Sequence, residues 1–289
     1  QTCALPISIM HEQTAKTIEL EVGAVVLTPG FDAFDGAQRG EFGFGYAENV
    51  VTNVQFERIL SASGPTQGHI VRASDGKTPK KLAFIQCIGS RDAGCNNEYC
   101  SSVCCMAATK EAILAKEHEP ELDITIFFLD LRAFGKDFDR YYERAKNEKN
   151  VRYVRSFISR TFEMPETKNL ALTYFGSDLR QVTEEFDMVV LSLALEPSAV
   201  LLGQASSIGI SLNKWGFAET AELCPLDTSK AGVFVGGTFQ EPKDIPDTVM
   251  QASAAAARAM ALLAPARGTL VRTKQYPPER DVTDEPPRI

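Results

Sequence analysis

An α/β fold with doubly wound parallel sheets and a β-meander is predicted by three features of the sequence. Short apolar segments and longer segments of helical composition take turns along the chain. Two neighbouring segments in which apolar and polar residues alternate come next, and a long alanine-rich segment lies near the end. The 289 residues, of which 44% are hydrophobic, are enough for two modest domains or one large one with a substantial core.

The individual elements are predicted from their periodicity and from the turn residues that end them. Strands are predicted over residues 17–28, 82–86, 124–129, 151–157, 188–193 and 233–237, and a hairpin over residues 170–175 and 182–186. Helices are predicted over residues 52–62, 101–119, 137–149 and 247–263. Thr52 and Gln55 have the spacing of a capping box, which fixes the start of the first helix.

Charge and composition exclude several classes of protein. The net charge of −8 argues against binding to nucleic acid or to an anionic membrane surface. The longest apolar runs, residues 252–257 and 259–264, are too short for a transmembrane segment. Seven cysteines in a chain without a recognisable export signal indicate reduced thiols or metal ligands, so we expect a cytoplasmic protein.

Both ends of the sequence are unusual. Back-translation of the first seven residues resembles a common sequencing adapter, so we expect residues 1–8 to be an artefact and exclude them from the fold. The last residues, 277–289, are polar and rich in proline, as is typical of a linker. We therefore expect truncation at both ends.

Five cysteines lie within nineteen residues, at Cys87, Cys95, Cys100, Cys104 and Cys105. Thiolates are soft ligands that suit iron–sulfur clusters or zinc. On a regular helix Cys105 would point about 100° away from Cys104, so the first helical turn must be irregular or the metal must lie across the helix end. Buried apolar cysteines, a zinc site and a redox disulfide remain alternatives. The chain has no C-x-x-C pair, the spacing that is typical both of zinc knuckles and of redox disulfides.

Four motifs resemble the A subunit of heterodisulfide reductase, in the same order as in that family. They are QCIGSRD at residues 86–92, YCSSVCCM at 99–106, DLRAFGK at 130–136 and PKDIPDT at 242–248. The resemblance runs from about residue 18 to the end of the chain. It implies a thioredoxin-reductase-like flavoprotein with two dinucleotide-binding domains, to which ferredoxin-like modules are attached.

The resemblance also implies a ligand set. Cys87, Cys100, Cys104 and Cys105 match the family motif and would bind a 4Fe–4S cluster near the flavin. Cys95 does not match it and is interpreted as a bystander or a substitute ligand. Cys224 is interpreted as structural, and Cys3 belongs to the suspected adapter sequence.

The FAD site is predicted by the same resemblance. The implied residues are Thr28 and Gly30 in the turn VLTPG, Gly236, Gly237 and Thr238 after a late strand, and Asp247 and Thr248 at the start of the last helix. Pro29 and Thr238 depart from the usual family pattern, since Thr238 stands where aspartate is usual. Lys243 is our candidate for a cation near the flavin ring, where positive charge would stabilise reduced flavin; a solvated surface lysine is the alternative.

Two dinucleotide fingerprints are missing from the sequence. The G-x-G-x-x-G motif of the first FAD segment is absent, and we expect it upstream of residue 1. The second fingerprint should follow the strand at residues 82–86, where the cysteine motif stands instead. We therefore predict that this domain does not bind NAD.

These observations predict five segments. Residues 1–8 are the artefact, 9–65 the end of the first FAD-domain segment and the crossover, 66–198 an NAD-like domain carrying the cysteine motif, 199–265 the returning FAD-domain segment, and 266–289 a linker. The predicted function is electron transfer in a heterodisulfide-reductase-type complex, in which FAD splits or merges electron pairs and a 4Fe–4S cluster relays single electrons. The predicted partners are ferredoxin and the other subunits of the complex. An NAD(P)H-dependent flavoprotein disulfide reductase and a non-catalytic zinc-binding scaffold are the alternatives.

Overall fold

The computed structural model describes residues 14–266 and Gly268. Its strands are β1 (Val25–Leu27), β2 (Phe31–Ala33), β3 (Val50–Thr52), β4 (Lys81–Ile88), β5 (Asp123–Phe128), β6 (Arg152–Arg155), β7 (Thr161–Glu163), β8 (Leu170–Phe175), β9 (Gln181–Phe186), β10 (Met188–Leu193), β11 (Leu195–Pro197), β12 (Thr220–Ala221), β13 (Cys224–Thr228) and β14 (Val233–Val235). Its α-helices are α1 (Asn53–Leu60), α2 (Cys104–His118), α3 (Phe138–Asn147), α4 (Ala199–Ile208) and α5 (Ile245–Leu263). The proposed adapter residues and most of the proposed linker lie outside the described residues.

The main sheet is entirely parallel and has the strand order β3-β10-β4-β5-β6. Alternate residues of its central strands enter two separate cores, because successive side chains of a strand point to opposite faces. Leu82 and Phe84 pack with helices α1, α2 and α3. Ala83 and Ile85 pack on the other face with strands β8 and β9. Burial on both faces explains why β4 and β10 read as continuous apolar runs.

Strands β7, β8 and β9 form an antiparallel three-stranded meander, so the predicted β-meander is confirmed. A further sheet has the order β1-β14-β13-β12, with β1 and β14 parallel, and α5 packs on both of these strands. The short antiparallel pair of β2 and β11 links the two parts of the chain. The predicted flavin residues lie after β1, after β14 and at the start of α5, in this second sheet and not in the main sheet that carries Cys87.

Three predicted boundaries are wrong for local reasons. Of the strand predicted over residues 17–28, only Val25–Leu27 form a strand. The mostly exposed residues before Val25 belong to no strand. Helix α2 begins at Cys104 because Ser102 has a left-handed backbone (φ 62°), which cannot belong to a right-handed helix. Helix α5 begins at Ile245, earlier than predicted, because the side chain of Asp244 caps it.

The capping box predicted at Thr52 is confirmed, since Thr52 and Gln55 exchange both side-chain-to-backbone hydrogen bonds, at 2.9 and 3.2 Å. Helix α4 was not predicted. None of the helices in the described residues is both long enough and apolar enough to span a membrane.

Candidate functional site

The cysteine motif lies at the carboxyl ends of the parallel strands. Cys87 is the penultimate residue of β4, and β4 lies between β5 and β10, so the chain leaves the sheet here at its topological switch point. The Sγ atom of Cys104 lies 3.6 Å from the carbonyl oxygen of Leu193, the last residue of β10. Open α/β sheets bind their ligands in the crevice at such a point.

The cysteines reach this crevice from two directions. Cys87 has a left-handed backbone (φ 65°), while Cys104 and Cys105 are the first two residues of α2. Cys100 lies in the irregular segment before the helix, where the backbone N–H of Ser102 donates to its sulfur at 3.3 Å. The irregular backbone thus lies before α2, at Ser102, and the helix itself is regular from Cys104. The positive N-terminal end of α2 favours an anionic group there.

The four thiols predicted as ligands are electrostatic neighbours. Burial raises the pKa of Cys87 to about 11, and Cys105 and Cys100 contribute to this rise. Burial also raises the pKa of Cys104, with smaller contributions from Cys87, Cys105 and Cys100. Burial and the neighbouring sulfurs therefore disfavour the thiolate forms of Cys87 and Cys104, which a bound metal would favour by displacing the protons.

The donor set suits a cluster in number and type. Across residues 14–266, no three His, Cys, Asp or Glu side chains are placed to hold a single metal ion. A 4Fe–4S cluster instead takes one thiolate for each of its four irons. The four predicted ligands offer four thiols, two of them in the first turn of α2, one before it and one in β4.

The other two described cysteines lie apart from this group. Cys95 is in a short 3-10 turn, and its thiol is directed at the carboxylate of Asp92 at 3.6 Å. Cys224 begins strand β13 and is exposed. Cys3 lies outside the described residues.

The predicted flavin residues converge at the ends of two other parallel strands. Thr28 follows β1 and Gly236 follows β14, and the backbone N–H of Gly236 donates to Leu27 at 3.2 Å. A Cβ atom at Gly236 would lie 3.8 Å from the Thr28 methyl group, whereas Gly30 has open space around it. The backbone of the turn after β1 is therefore open to a ligand at Gly30, whereas Gly236 is packed against Thr28.

Helix α5 carries the remaining predicted residues. The side-chain oxygen Oδ1 of Asp244 caps the helix by accepting from the backbone N–H of Asp247 at 2.9 Å. The backbone carbonyl of Asp244 accepts from the hydroxyl of Thr248 at 2.7 Å. Gly237 has φ 68° and donates to the side chain of Gln251 at 2.9 Å. Gln251 is a residue that the sequence did not reveal, because a single glutamine in an alanine-rich helix carries no signal of its own.

One mainly apolar cavity of about 910 Å³ joins the two groups of residues. It is within the size range of pockets for cofactors and other small molecules. Four predicted flavin residues line it, namely Gly30, Thr238, Lys243 and Thr248, and so do Ser102, Val103 and Met106 from the cysteine motif. A flavin ring in this cavity would therefore adjoin the segment between Cys100 and Cys104.

Lys243 is buried, not a solvated surface lysine. Its Nζ donates to Gln240 at 2.5 Å and lies 3.4 Å from Glu241. Burial lowers its pKa, against the opposing effect of Glu241. Lys243 lies between the apolar cavity and a second, more polar cavity of about 900 Å³, which Cys100 and Asp247 line.

The region where a nicotinamide dinucleotide would bind is narrow. A cavity of about 170 Å³ lies at the ends of β4 and β5, and Gln86, Cys87 and Arg91 are among its lining residues. This volume is below the range of ordinary small-molecule pockets. Arg91 and Gln86 were not predicted as site residues, although both lie within the motif QCIGSRD.

The chain is similar to several characterised proteins. It is 45% identical over 260 residues to an iron–sulfur A subunit of the CoB–CoM heterodisulfide reductase of Methanopyrus kandleri, covering 89% of this chain and 40% of the relative. It is 42% identical to the A subunit of the H2:CoB-CoM heterodisulfide,ferredoxin reductase of Methanothermobacter thermautotrophicus, covering 87% of this chain and 38% of the relative. No protein-family model matches the chain.

Among solved structures, the fold is similar to that of the T. acidophilum thioredoxin reductase, with a TM-score of 0.51 and 14% identity over 84% of this chain and 65% of that one. The predicted thioredoxin-reductase-like fold and the predicted resemblance to the A subunit of heterodisulfide reductase are both confirmed. The chain spans about 40% of the length of the curated relatives it matches.

Proposed function

From the premise that this chain is homologous to one stretch of the A subunit of heterodisulfide reductase, we propose that it is an electron-transferring part of a heterodisulfide-reductase-type complex. Cys87, Cys100, Cys104 and Cys105 would hold a 4Fe–4S cluster, and the residues around the apolar cavity would hold FAD. When bound, FAD supplies two-electron chemistry and the cluster supplies one-electron chemistry.

The apolar cavity is the observation that carries this proposal. Thr238 and Thr248 line it from the β14–α5 side, and Ser102 and Val103 line it from the cysteine side. Neither group of residues needs to move for a ligand in the cavity to contact both. A flavin bound in this cavity would therefore lie next to the cysteine motif.

Two features would act directly on a bound flavin. Buried Lys243 at the edge of the cavity places a cationic group there, held by Gln240 and Glu241. The N-terminal end of α5 also lines the cavity, through Ile245, Pro246 and Thr248, and contributes the positive end of its helix dipole there. Both features favour negative charge on the ligand, as in reduced flavin.

The two alternative functions agree less well with the site. A nicotinamide-dependent reductase would need room for a dinucleotide after β4, where the cavity measures about 170 Å³. A zinc scaffold would bind a single ion, but it would leave the apolar cavity lined by Ser102, Val103 and Met106 without a role.

The partners and the location form part of the same proposal. The name of one relative includes ferredoxin, so we propose ferredoxin and the other subunits of such a complex as partners. The six described cysteines are free thiols, which suits a reducing compartment, and we propose the cytoplasm.

The proposal is tested by electron transfer to oxidised ferredoxin in a single turnover. Protein that has been reconstituted with iron, sulfide and FAD is reduced and mixed with ferredoxin in a stopped-flow instrument. We expect transfer by the wild-type protein and by a Cys224→Ser control, and its loss in Cys104→Ser protein that retains FAD. Transfer by Cys104→Ser at the wild-type rate would show that the cysteine site is not part of the route.

A further inference from the structure

Arg91 is tied by its backbone to the cysteine site. It lies in the turn after β4, four residues beyond Cys87, and has a left-handed backbone (φ 55°). Its backbone N–H donates to the carbonyl of Tyr99, the residue before Cys100, at 2.8 Å. Arg91 therefore connects the two segments that carry Cys87 and Cys100.

The guanidinium group of Arg91 reaches the third segment. Its Nη2 donates to Oδ2 of Asp130 at 2.8 Å, and the Sγ of Cys105 is directed at the backbone carbonyl of the same Asp130 at 3.7 Å. Its Nη1 atom is buried and has no hydrogen-bond partner among the described residues. A buried N–H donor without an acceptor is costly, so this atom is suited to an acceptor that the protein binds.

The side chain of Arg91 lies beside the cysteine site. Arg91 and Cys87 line the same small cavity at the ends of β4 and β5. The charge and the free Nη1 donor of Arg91 are therefore next to the first of the four cysteines.

Two other arginines near the site are more exposed. Arg132 is exposed, so water screens its charge, and it does not line the cavity that Cys87 and Arg91 share. Arg155 also donates to Asp130, at 3.0 Å, but its side chain is 74% exposed, against 23% for Arg91. Arg91 and Arg155 therefore share one partner, Asp130, but Arg91 is the more buried of the two and is the one that lines the cavity with Cys87.

We propose that Arg91 is a positioning residue that sets the reduction potential of the group held by the four cysteines, with its Nη1 donating to a sulfur at that site. The inference rests on the proposed function, because it requires an iron–sulfur cluster at Cys87, Cys100, Cys104 and Cys105. Reduction adds negative charge to a cluster, and nearby positive charge and N–H donors stabilise the reduced form. Arg91 would therefore raise the potential.

The inference is tested by EPR-monitored redox titration of the reconstituted protein. We expect Arg91→Gln to lower the reduction potential of the cluster by about 59 mV. For a one-electron couple this is about a tenfold fall in the ratio of reduced to oxidised cluster at a fixed solution potential. The matched control Arg155→Gln removes the same charge from the same partner and should leave the potential at the wild-type value. Arg91→Lys keeps the positive charge but loses the planar guanidinium group with its several N–H donors. Its reduction potential should lie between those of Arg91→Gln and the wild type.

A second variant keeps the test decisive if Arg91→Gln does not retain iron. Asp130→Asn removes the counter-charge of Arg91 but keeps an acceptor oxygen, so it should raise the potential above the wild-type value. Equal potentials in iron-replete wild-type, Arg91→Gln and Arg155→Gln proteins, or a lowered potential in Asp130→Asn, would overturn the inference alone. A wild-type protein that binds no iron would overturn the proposed function and this inference with it.

Discussion

The sulfur of Cys104 lies 3.6 Å from the backbone carbonyl of Leu193, so the first residue of α2 contacts the last residue of β10. This contact places the start of a helix directly over the switch point of the parallel sheet. In dinucleotide-binding domains this position carries a glycine-rich loop that admits a pyrophosphate. Here the first residues of the helix are two adjacent cysteines, Cys104 and Cys105.

The first prediction concerns iron content. Replacing Cys104 by serine should remove most of the bound iron after anaerobic reconstitution, because the cluster loses one of its four thiolate ligands. Replacing Cys95 or the exposed Cys224 should leave the iron content near the wild-type value, since neither thiol adjoins the other four. Iron and acid-labile sulfide assays measure the difference, and full retention of iron by Cys104→Ser would exclude this ligand set.

The second prediction concerns the apolar cavity. Thr238→Phe would add a ring to the space proposed for the flavin and should weaken FAD binding about tenfold or more, because overpacking a filled site costs about 1–3 kcal/mol. Thr183→Phe is the matched control, because Thr183 lies exposed on the hairpin strand β9, outside the cavity. The dissociation constant is measured by quenching of flavin fluorescence. Equal affinity of both variants for FAD would place the flavin elsewhere.

The third prediction concerns nicotinamide cofactors. The protein should not oxidise NADH with an artificial dye as acceptor, because the side chains of Cys87 and Arg91 stand in the loop that would have to admit the pyrophosphate. Dithionite should still reduce the same sample, which shows that its redox centres are intact. Saturable NADH-dependent dye reduction without partner subunits would contradict this.

The fourth prediction concerns the stability of α2. Glu111 is 2% exposed and its Oε2 has no hydrogen-bond partner among the described residues; burial raises its pKa to about 8 from an ordinary value of 4.5. Between these values the folded protein holds a proton that the unfolded chain releases, so the free energy of unfolding falls as the pH rises. Glu111→Gln removes this dependence and should be more stable than the wild type by about 1–3 kcal/mol at pH 8, with little difference at pH 5.

Urea denaturation between pH 5 and pH 9, followed through the fluorescence of Trp215, measures this effect. Trp215 is the only tryptophan of the chain. Glu121→Gln, at an exposed position after the same helix, is the control and should follow the wild-type pH dependence. A Glu111→Gln protein with the same pH dependence as the wild type would show that Glu111 is ionised in the folded state.

The sequence predicted the elements whose signals are local. The apolar runs of β4 and β10, the capping box at Thr52 and the alternation in the meander all indicated elements close to those of the structure. The start of α2 could not be predicted, because it depends on the left-handed backbone of Ser102, which no residue type in that segment demands.

The site was predictable only in part. The spacing of the cysteines indicated a soft metal site, and the choice of cluster and ligands came from the family resemblance. Lys243 gave no sign of its burial, because a lysine between a proline and an aspartate is typical of a surface turn. Arg91 was hidden because its partner Asp130 lies 39 residues away.

The most direct test of the central claim is the metal content and EPR spectrum of the protein after anaerobic reconstitution with iron and sulfide. We expect about four irons and four sulfides per chain and, after reduction, the spectrum of a 4Fe–4S cluster. Zinc bound in place of iron, or iron without acid-labile sulfide, would contradict the claim that Cys87, Cys100, Cys104 and Cys105 hold an electron-transferring cluster.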